Sequence, residues 1–222
     1  MKLFFCLYFM ENFKEKISEA YGHFVQDRGK EPSIEQLIKE ANCEESEFYA
    51  HFSNISSVRK GLWRHFADKT IERVQAEEVY SSYSAREKAL SFFYTLIEVI
   101  KPFRYYVKYA FKHHNNFLTG PTFLGGLKQS YKAFSLELLA EGFETGELAS
   151  RPFISDQYEG VLWKLAEFSL HFWVSDDSEA YELTDTAIEK SVNVAFDFMA
   201  HGVFDSAFDF GKFILQYIGK KK

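Results

Sequence analysis

Three glutamates, a tyrosine and a histidine stand within eight residues of one another: Glu44, Glu45, Glu47, Tyr49 and His51, in the run ANCEESEFYAHF (41–52). Carboxylates at this density suggest acid–base chemistry or acceptance of hydrogen bonds; a single glutamate on a helix can accept from cytosine N4 in a DNA major groove. No nucleophile–base pair completes a catalytic set, and His51 reads as a packing or capping histidine. GxSxG, HExxH, GxGxxG and the Walker lysine motif are all missing from the chain. His113 and His114 are neighbours and do not share a helix face, which leaves no metal site. Cys6 and Cys43 form neither a CxxC nor a disulfide framework and read as free thiols of a reducing cytoplasm. The expectation is a non-enzyme with no metal and no cofactor.

The elements that hold these residues are helices. The four prolines, 32, 102, 121 and 152, fall where helices should begin or end, and no sustained period-2 stretch or Asn-Gly hairpin signal appears. Phe13, Ile17, Ala20, Tyr21, Phe24 and Val25 recur at the spacing of one buried face and predict a helix over 11–27, stopped by Gly29. Ser33 and Gln36 form a capping box for a short second helix with Leu37, Ile38 and Ala41 inside. Asn42–Cys43 is a tight turn in which Asn tolerates the left-handed conformation. A third helix covers 44–51 and a long fourth covers 54–79. Further helices are predicted at 84–100, opened by the Ser84–Glu87 capping box, from Pro102 to 114, from Pro121 to about 142–146, from a Ser155 cap to 173, at 183–201 and at 205–218.

The result is an all-α chain of about ten helices, with residues 1–66 and 67–222 as its two domains and the fourth helix running between them. The 222 residues contain 25 Phe, 13 Tyr and 3 Trp. So many rings fill a bulky core and can also line an apolar cavity. A net charge of −6 argues against a surface that grips nucleic acid throughout, though a small basic patch remains compatible with it. The opening run MKLFFCLYFM has eight apolar residues after Lys2 and no small-residue cleavage site; it is too short to span a membrane. It reads either as a stretch upstream of a start at Met10 or as extra helix covered by its neighbours. The protein is taken as cytoplasmic.

Three helices with a tight turn between the second and third make a helix-turn-helix unit. With Ser33, Leu37, Ala41, Phe48, Tyr49, His51 and Phe52 on matching or conservative positions of the signature T-x-x-x-I-A-x-x-A-G-V-S-x-x-x-L-Y-x-H-F-x-x-K, residues 11–66 resemble the TetR family of transcriptional regulators. The rest of the chain matches in helix number and size. The resemblance implies a ligand-responsive DNA-binding regulator. It places Ser33, Glu45, Ser46, Glu47, Tyr49 and His51 at the DNA, with Arg59 and Lys60 as backbone contacts. Four positions depart from the family. Ile38 replaces a small Ala, Asn42–Cys43–Glu44 replaces Gly-Val-Ser, Glu45–Ser46–Glu47 occupies the groove-facing positions, and Ile55 replaces a phosphate-binding Lys. Between Ser33 and Phe52 one base, Lys39, stands against five acids, Glu35, Glu40, Glu44, Glu45 and Glu47, a net of −4. Even non-specific DNA affinity comes mainly from cations that neutralise phosphates. Acids at a helix start also stabilise the helix itself.

The same resemblance implies a body that holds a small-molecule pocket and a homodimer interface. Pocket candidates are Phe92, Phe93, Tyr105, Tyr106, Tyr109, Phe111, Phe117, Phe123, Tyr131 and Phe134, around a lipid-like or aromatic ligand. The helix after Ser155 is apolar nearly all round and needs cover on more than one side. Dimer-interface candidates are Leu162, Leu165, Phe168, Phe172, Val192 and Phe196. The last segment carries Phe204, Phe208, Ile214, Leu215 and Ile218 at helical spacing ahead of Lys220–Lys221–Lys222. Such a stripe packs on its own domain or lies on a membrane surface. It resembles the extra helix of TetR-fold ubiquinone-biosynthesis accessory proteins, which bind lipid and have lost DNA recognition. That is the alternative reading: a TetR fold without DNA binding, devoted to an apolar ligand or a partner protein.

Overall fold

The computed structural model describes residues 2–112, 120–200 and 202, with side chains from residue 13 onward. Among them are nine α-helices and no strand: α1 (Lys2–Arg28), α2 (Ile34–Ala41), α3 (Glu45–His51), α4 (Ile55–Gln75), α5 (Ala85–Ile100), α6 (Arg104–Phe111), α7 (Gly125–Glu144), α8 (Tyr158–Ser175) and α9 (Glu182–Met199). The expected tenth helix at 205–218, the closing lysines, His113–His114 and Phe117 lie outside the described residues. No helix among those described is long and apolar enough to cross a membrane.

The turns follow from local chemistry. Gly29 adopts φ +65° and its N–H donates to the Val25 carbonyl at 2.9 Å, closing α1. Ser33 Oγ accepts from Gln36 N and Gln36 Oε1 accepts from Ser33 N, a reciprocal cap for α2. Asn42 takes the left-handed conformation (φ 47°) and its N–H returns to the last carbonyls of α2. Ser84 and Glu87 cap α5 in the same manner, and Glu147 from the α7–α8 loop accepts from the N–H groups of Ala85 and Arg86.

Helix α1 starts at Lys2 and not at residue 11, and three further boundaries differ from expectation. First, α4 ends at Gln75 and not near Val79. Glu77 and Glu78 follow it, and carboxylates at a helix C-terminus oppose the macrodipole. Second, 3₁₀ turns at 101–103 and 122–124 carry the chain through Pro102 and Pro121 before α6 and α7 begin. Third, Ser155 does not cap α8. Its Oγ accepts from Arg151 N at 2.7 Å, because the buried Arg151 organises that loop, and α8 starts at Tyr158.

The spine of the molecule is α4. It buries Val58, Leu62, Trp63, Phe66, Ala67, Thr70 and Val74 and packs on α1, α5 and α7. The approach of α7 is close: a Cβ on Gly126 would overlap the Lys60 carbonyl. The far side of the body is the antiparallel pair α8–α9. An arginine seals the C-terminus of each. Arg104 of α6 donates to the Trp173 and Asp176 carbonyls (2.9 and 2.8 Å) while stacking on Tyr181. Arg151 donates to the Phe198 and Ala200 carbonyls (3.0 and 2.6 Å) and to Tyr158 Oη (2.8 Å). Both satisfy carbonyls that the helices leave open.

The start of α9 is set by Asp176. Its carboxylate accepts from the N–H and hydroxyl of Ser178 and of Thr184, all within 2.6–2.8 Å. Burial works to raise its pKa, but these four bonds outweigh that and hold it near 2, below the ordinary 3.8. A depressed folded-state pKa gives stability that is complete above the unfolded value and lost as pH falls toward the folded one. Asp176→Asn is therefore expected to lower the melting temperature at neutral pH, by several degrees for a loss of about 1–3 kcal/mol. The difference from wild type should shrink between about pH 4 and pH 2, as followed by circular-dichroism melts across that range.

Candidate functional site

The tip of the helix-turn-helix presents α3. Phe48 is fully buried and pins it to the unit, with Phe52 at 5.8 Å between ring centres. Glu45 and Ser46 point to solvent, and Tyr49 is 51% exposed. Glu47 is exposed but engaged: its Oε2 accepts from Glu44 N at 3.0 Å and so caps the helix that carries it. Glu40 pairs with Arg28 at 3.1 Å. Glu47 and Glu40 thus have local work, Glu44 is the N-cap of α3, and Glu35 and Glu45 are the remaining outward negative charge. Ser33 is exposed but committed to the α2 cap. His51 is half-buried and stacks on Phe13 at 5.0 Å.

The structure separates the two expected backbone contacts. Lys60 is exposed on α4. Arg59 is turned inward, where it pairs with Glu31 and donates from Nε to Tyr21 Oη at 3.3 Å. Tyr21 donates in turn to Glu31 at 2.8 Å. Burial pushes the Tyr21 phenol well up, the nearby Arg59 pulling the other way, so it acts as a neutral hydroxyl. This knot joins α1, the α1–α2 turn and α4. It meets the body through Tyr106, whose ring lies edge-on to Tyr21 at 5.8 Å and whose N–H donates to Gln26 Oε1 at 3.0 Å.

The body is filled by rings. The nine pocket candidates among the described residues do not share one cavity. Phe93, Tyr131 and Phe134 pack around Phe92, with centroids 4.6–5.5 Å from it. Tyr106 and Phe123 belong to a second cluster around Trp63, 6.2 and 5.6 Å from it. Tyr109 is half-buried, and Tyr105 is 49% exposed beside Gly29, where a Cβ would meet its hydroxyl at 2.9 Å. Trp63 Nε1 and Tyr106 Oη are buried without a hydrogen-bond partner among the described residues. Phe117 lies outside them. A groove of about 790 Å³ opens elsewhere, between α1, α4 and the start of α7.

The dimer candidates divide as well. Leu162, Val192 and Phe196 are completely buried inside the protomer. Leu165 is 8% exposed; Phe168 and Phe172 are half-buried. The residues that face outward are others: Val194 is 70% exposed and Phe198 38%, and with Val161, Leu165 and Phe168 they line an apolar groove along α8–α9. The signal for them is present in the sequence. Ile188, Val192, Ala195, Phe196 and Met199 make the inner stripe of α9, while Ala187, Ser191, Val194 and Phe198 make a second stripe at the same period.

Residues 88–214 match the family model of the tetracyclin repressor-like C-terminal domain, more than half of the chain. The chain belongs to the TetR family. A protein from Syntrophomonas wolfei strain Goettingen, assigned to the TetR-family transcriptional regulators, superposes with a TM-score of 0.54 at 17% identity, over 85% of this chain and 93% of that one. A bacterial regulatory protein of the TetR family from Rhodococcus RHA1 gives 0.51 at 11% identity, over 86% and 98%. At these identities the likeness is one of fold. No curated protein matches the chain.

The Tyr21–Glu31–Arg59 knot yields a direct expectation. Tyr21→Phe keeps the ring contact with Tyr106 and removes the hydroxyl between Glu31 and Arg59. It should cost about 0.5–1.5 kcal/mol in chemical denaturation, because the charged partners can still pair with each other. Glu31→Ala, which leaves Arg59 half-buried without its carboxylate, should cost more.

Proposed function

We propose that this TetR-family chain is a homodimeric, ligand-responsive transcriptional regulator whose α3 tip meets DNA. The observation that carries the reading is the free outward face of α3. Glu45, Ser46 and Tyr49 are exposed at the end of a helix-turn-helix whose caps and turn are intact. Ser46 and Tyr49 supply hydroxyls for phosphate or base, and a glutamate at position 45 suits a cytosine N4 donor. Lys60 is an exposed cation on α4 for the backbone, while Arg59 serves the fold. Ligand binding in the aromatic body would act through Tyr106 and α4 on the angle of the two tips.

One observation favours a second reading, a TetR fold without DNA binding that serves an apolar ligand or a partner protein. Glu35 and Glu45 remain outward and without an ion pair among the described residues, with the N-cap Glu44 beside them, a surface that repels a polyanion. Duplex binding to fragments of the upstream DNA at 50 and 200 mM salt separates the two. The regulator reading expects wild-type binding that falls steeply with salt. Glu45→Lys should then retune sequence preference and steepen the salt slope by about one. No binding by wild type at low salt, with binding acquired by Glu45→Lys, would sink the regulator reading and leave the second.

Homodimerisation is assigned to the apolar α8–α9 groove. Val194→Asp adds a charge to that face without touching the protomer core and should give a folded monomer in light scattering. Val192→Asp, aimed into the core, should instead lower helicity and stability. A Val194→Asp protein that stays dimeric would place the interface elsewhere.

A further inference from the structure

We infer that the groove between the helix-turn-helix and the body is a binding site for a compact polyanion, a small molecule bearing phosphate or several carboxylate groups. The groove encloses about 790 Å³, within the usual range of small-molecule sites. It lies apart from both the outward face of α3 and the α8–α9 groove, and none of the pocket candidates lines it.

Its charge pattern identifies the ligand class. Lys60 and Arg64 stand one helical turn apart on α4, and Lys14 faces them from α1. All three are exposed, and none forms an ion pair among the described residues. Like charges at i and i+4 repel, and a bound anion would reverse that penalty. Two acids line the same groove. Glu15 is turned to His65 at 3.5 Å, and Asp68 lies at the end away from α3. The walls also carry the neutral hydrogen-bonding side chains of Thr122 and Gln129, while the Ser57 hydroxyl is committed to the cap of α4.

The start of α7 closes the groove and adds to the same preference. Its first turn carries no acidic side chain and no side-chain cap. Gly126 is required there, since α4 leaves no room for a Cβ. Gly125 is not: a Cβ there would meet nothing nearer than Lys60 Cε at 4.0 Å. The open space beside Gly125 therefore borders Lys60. A ligand seated here would touch α1, α4, the end of α3 at His51 and the body at α7 together. It would bear on the helix-turn-helix from outside the aromatic core.

Calorimetric titration of the full-length protein with inorganic pyrophosphate, and separately with citrate, tests this in 50 mM salt. One site per protomer with a dissociation constant of about 1 mM or tighter is expected for at least one of them, and which one binds distinguishes phosphate from carboxylate. Lys60→Gln/Arg64→Gln should weaken binding about tenfold or more, while Lys132→Gln, an exposed cation elsewhere on α7, should leave it unchanged. Gly125→Asp supplies a tethered carboxylate beside Lys60. It should abolish binding yet raise the melting temperature, which keeps loss of the site distinct from loss of the fold. Failure of both probes at 10 mM, or equal binding by wild type and Lys60→Gln/Arg64→Gln, would overturn the proposal. So would a result in which that double variant loses only duplex DNA binding, since the cations would then serve the nucleic acid.

Discussion

The backbone of α7 rests against the backbone of α4, and Gly126 beneath the Lys60 carbonyl is the residue that permits it. Every other arrangement hangs from that contact. With the two helices so close, Trp63 and Phe66 project to the side where α6 and the 122–124 turn must cover them. Helix α1, and with it the helix-turn-helix, also packs along α4. A helix that belongs to both halves makes them one mechanical unit at this point. The Tyr21–Glu31–Arg59 knot and the Tyr106 ring then fix the orientation of the tip against the body.

Charge and shape are decoupled in the helix-turn-helix. The three-dimensional unit is complete: α2 ends in a left-handed Asn42, α3 is held by Phe48, and the reciprocal caps are in place. What has changed is the sign of the surface. Part of that acidity has a structural use, since Glu47 caps α3 and Glu40 pairs with Arg28. Arg59 is likewise withdrawn by a structural use. A residue type favoured at a nucleic-acid surface is equally favoured wherever a buried carboxylate and a phenol need a planar donor.

Helices, caps and the inner stripes were legible in the sequence, because they depend on neighbours three or four positions away. Ser33 with Gln36, Asn42, Ser84 with Glu87 and Gly29 all behave as their local chemistry predicts. What was not legible depends on partners distant in the chain. Nothing near Arg59 announces that Glu31 and Tyr21 will claim it, and nothing near Arg151 announces that the last carbonyls of α9 will hold it and so shape the loop around Ser155. The aromatic candidates show the same limit. Their number points to a body full of rings, but only the packing divides Phe93, Tyr131 and Phe134 from Tyr106 and Phe123. On α9, two apolar stripes share one helix. The more hydrophobic, Val192 and Phe196, serves the protomer, and the weaker one, Val194 and Phe198, remains outside.

The two arginine seals sit at opposite ends of the α8–α9 pair, since the helices run antiparallel. Arg104 anchors one end to α6, and Arg151 anchors the other to the loop behind α7. A pair held at both ends cannot slip lengthwise by a turn, as helices in switching proteins sometimes do. It can only tilt or rotate as a block. Two such blocks joined face to face would carry any rearrangement from one protomer to the other as a change of angle, with the spacing along the helices conserved.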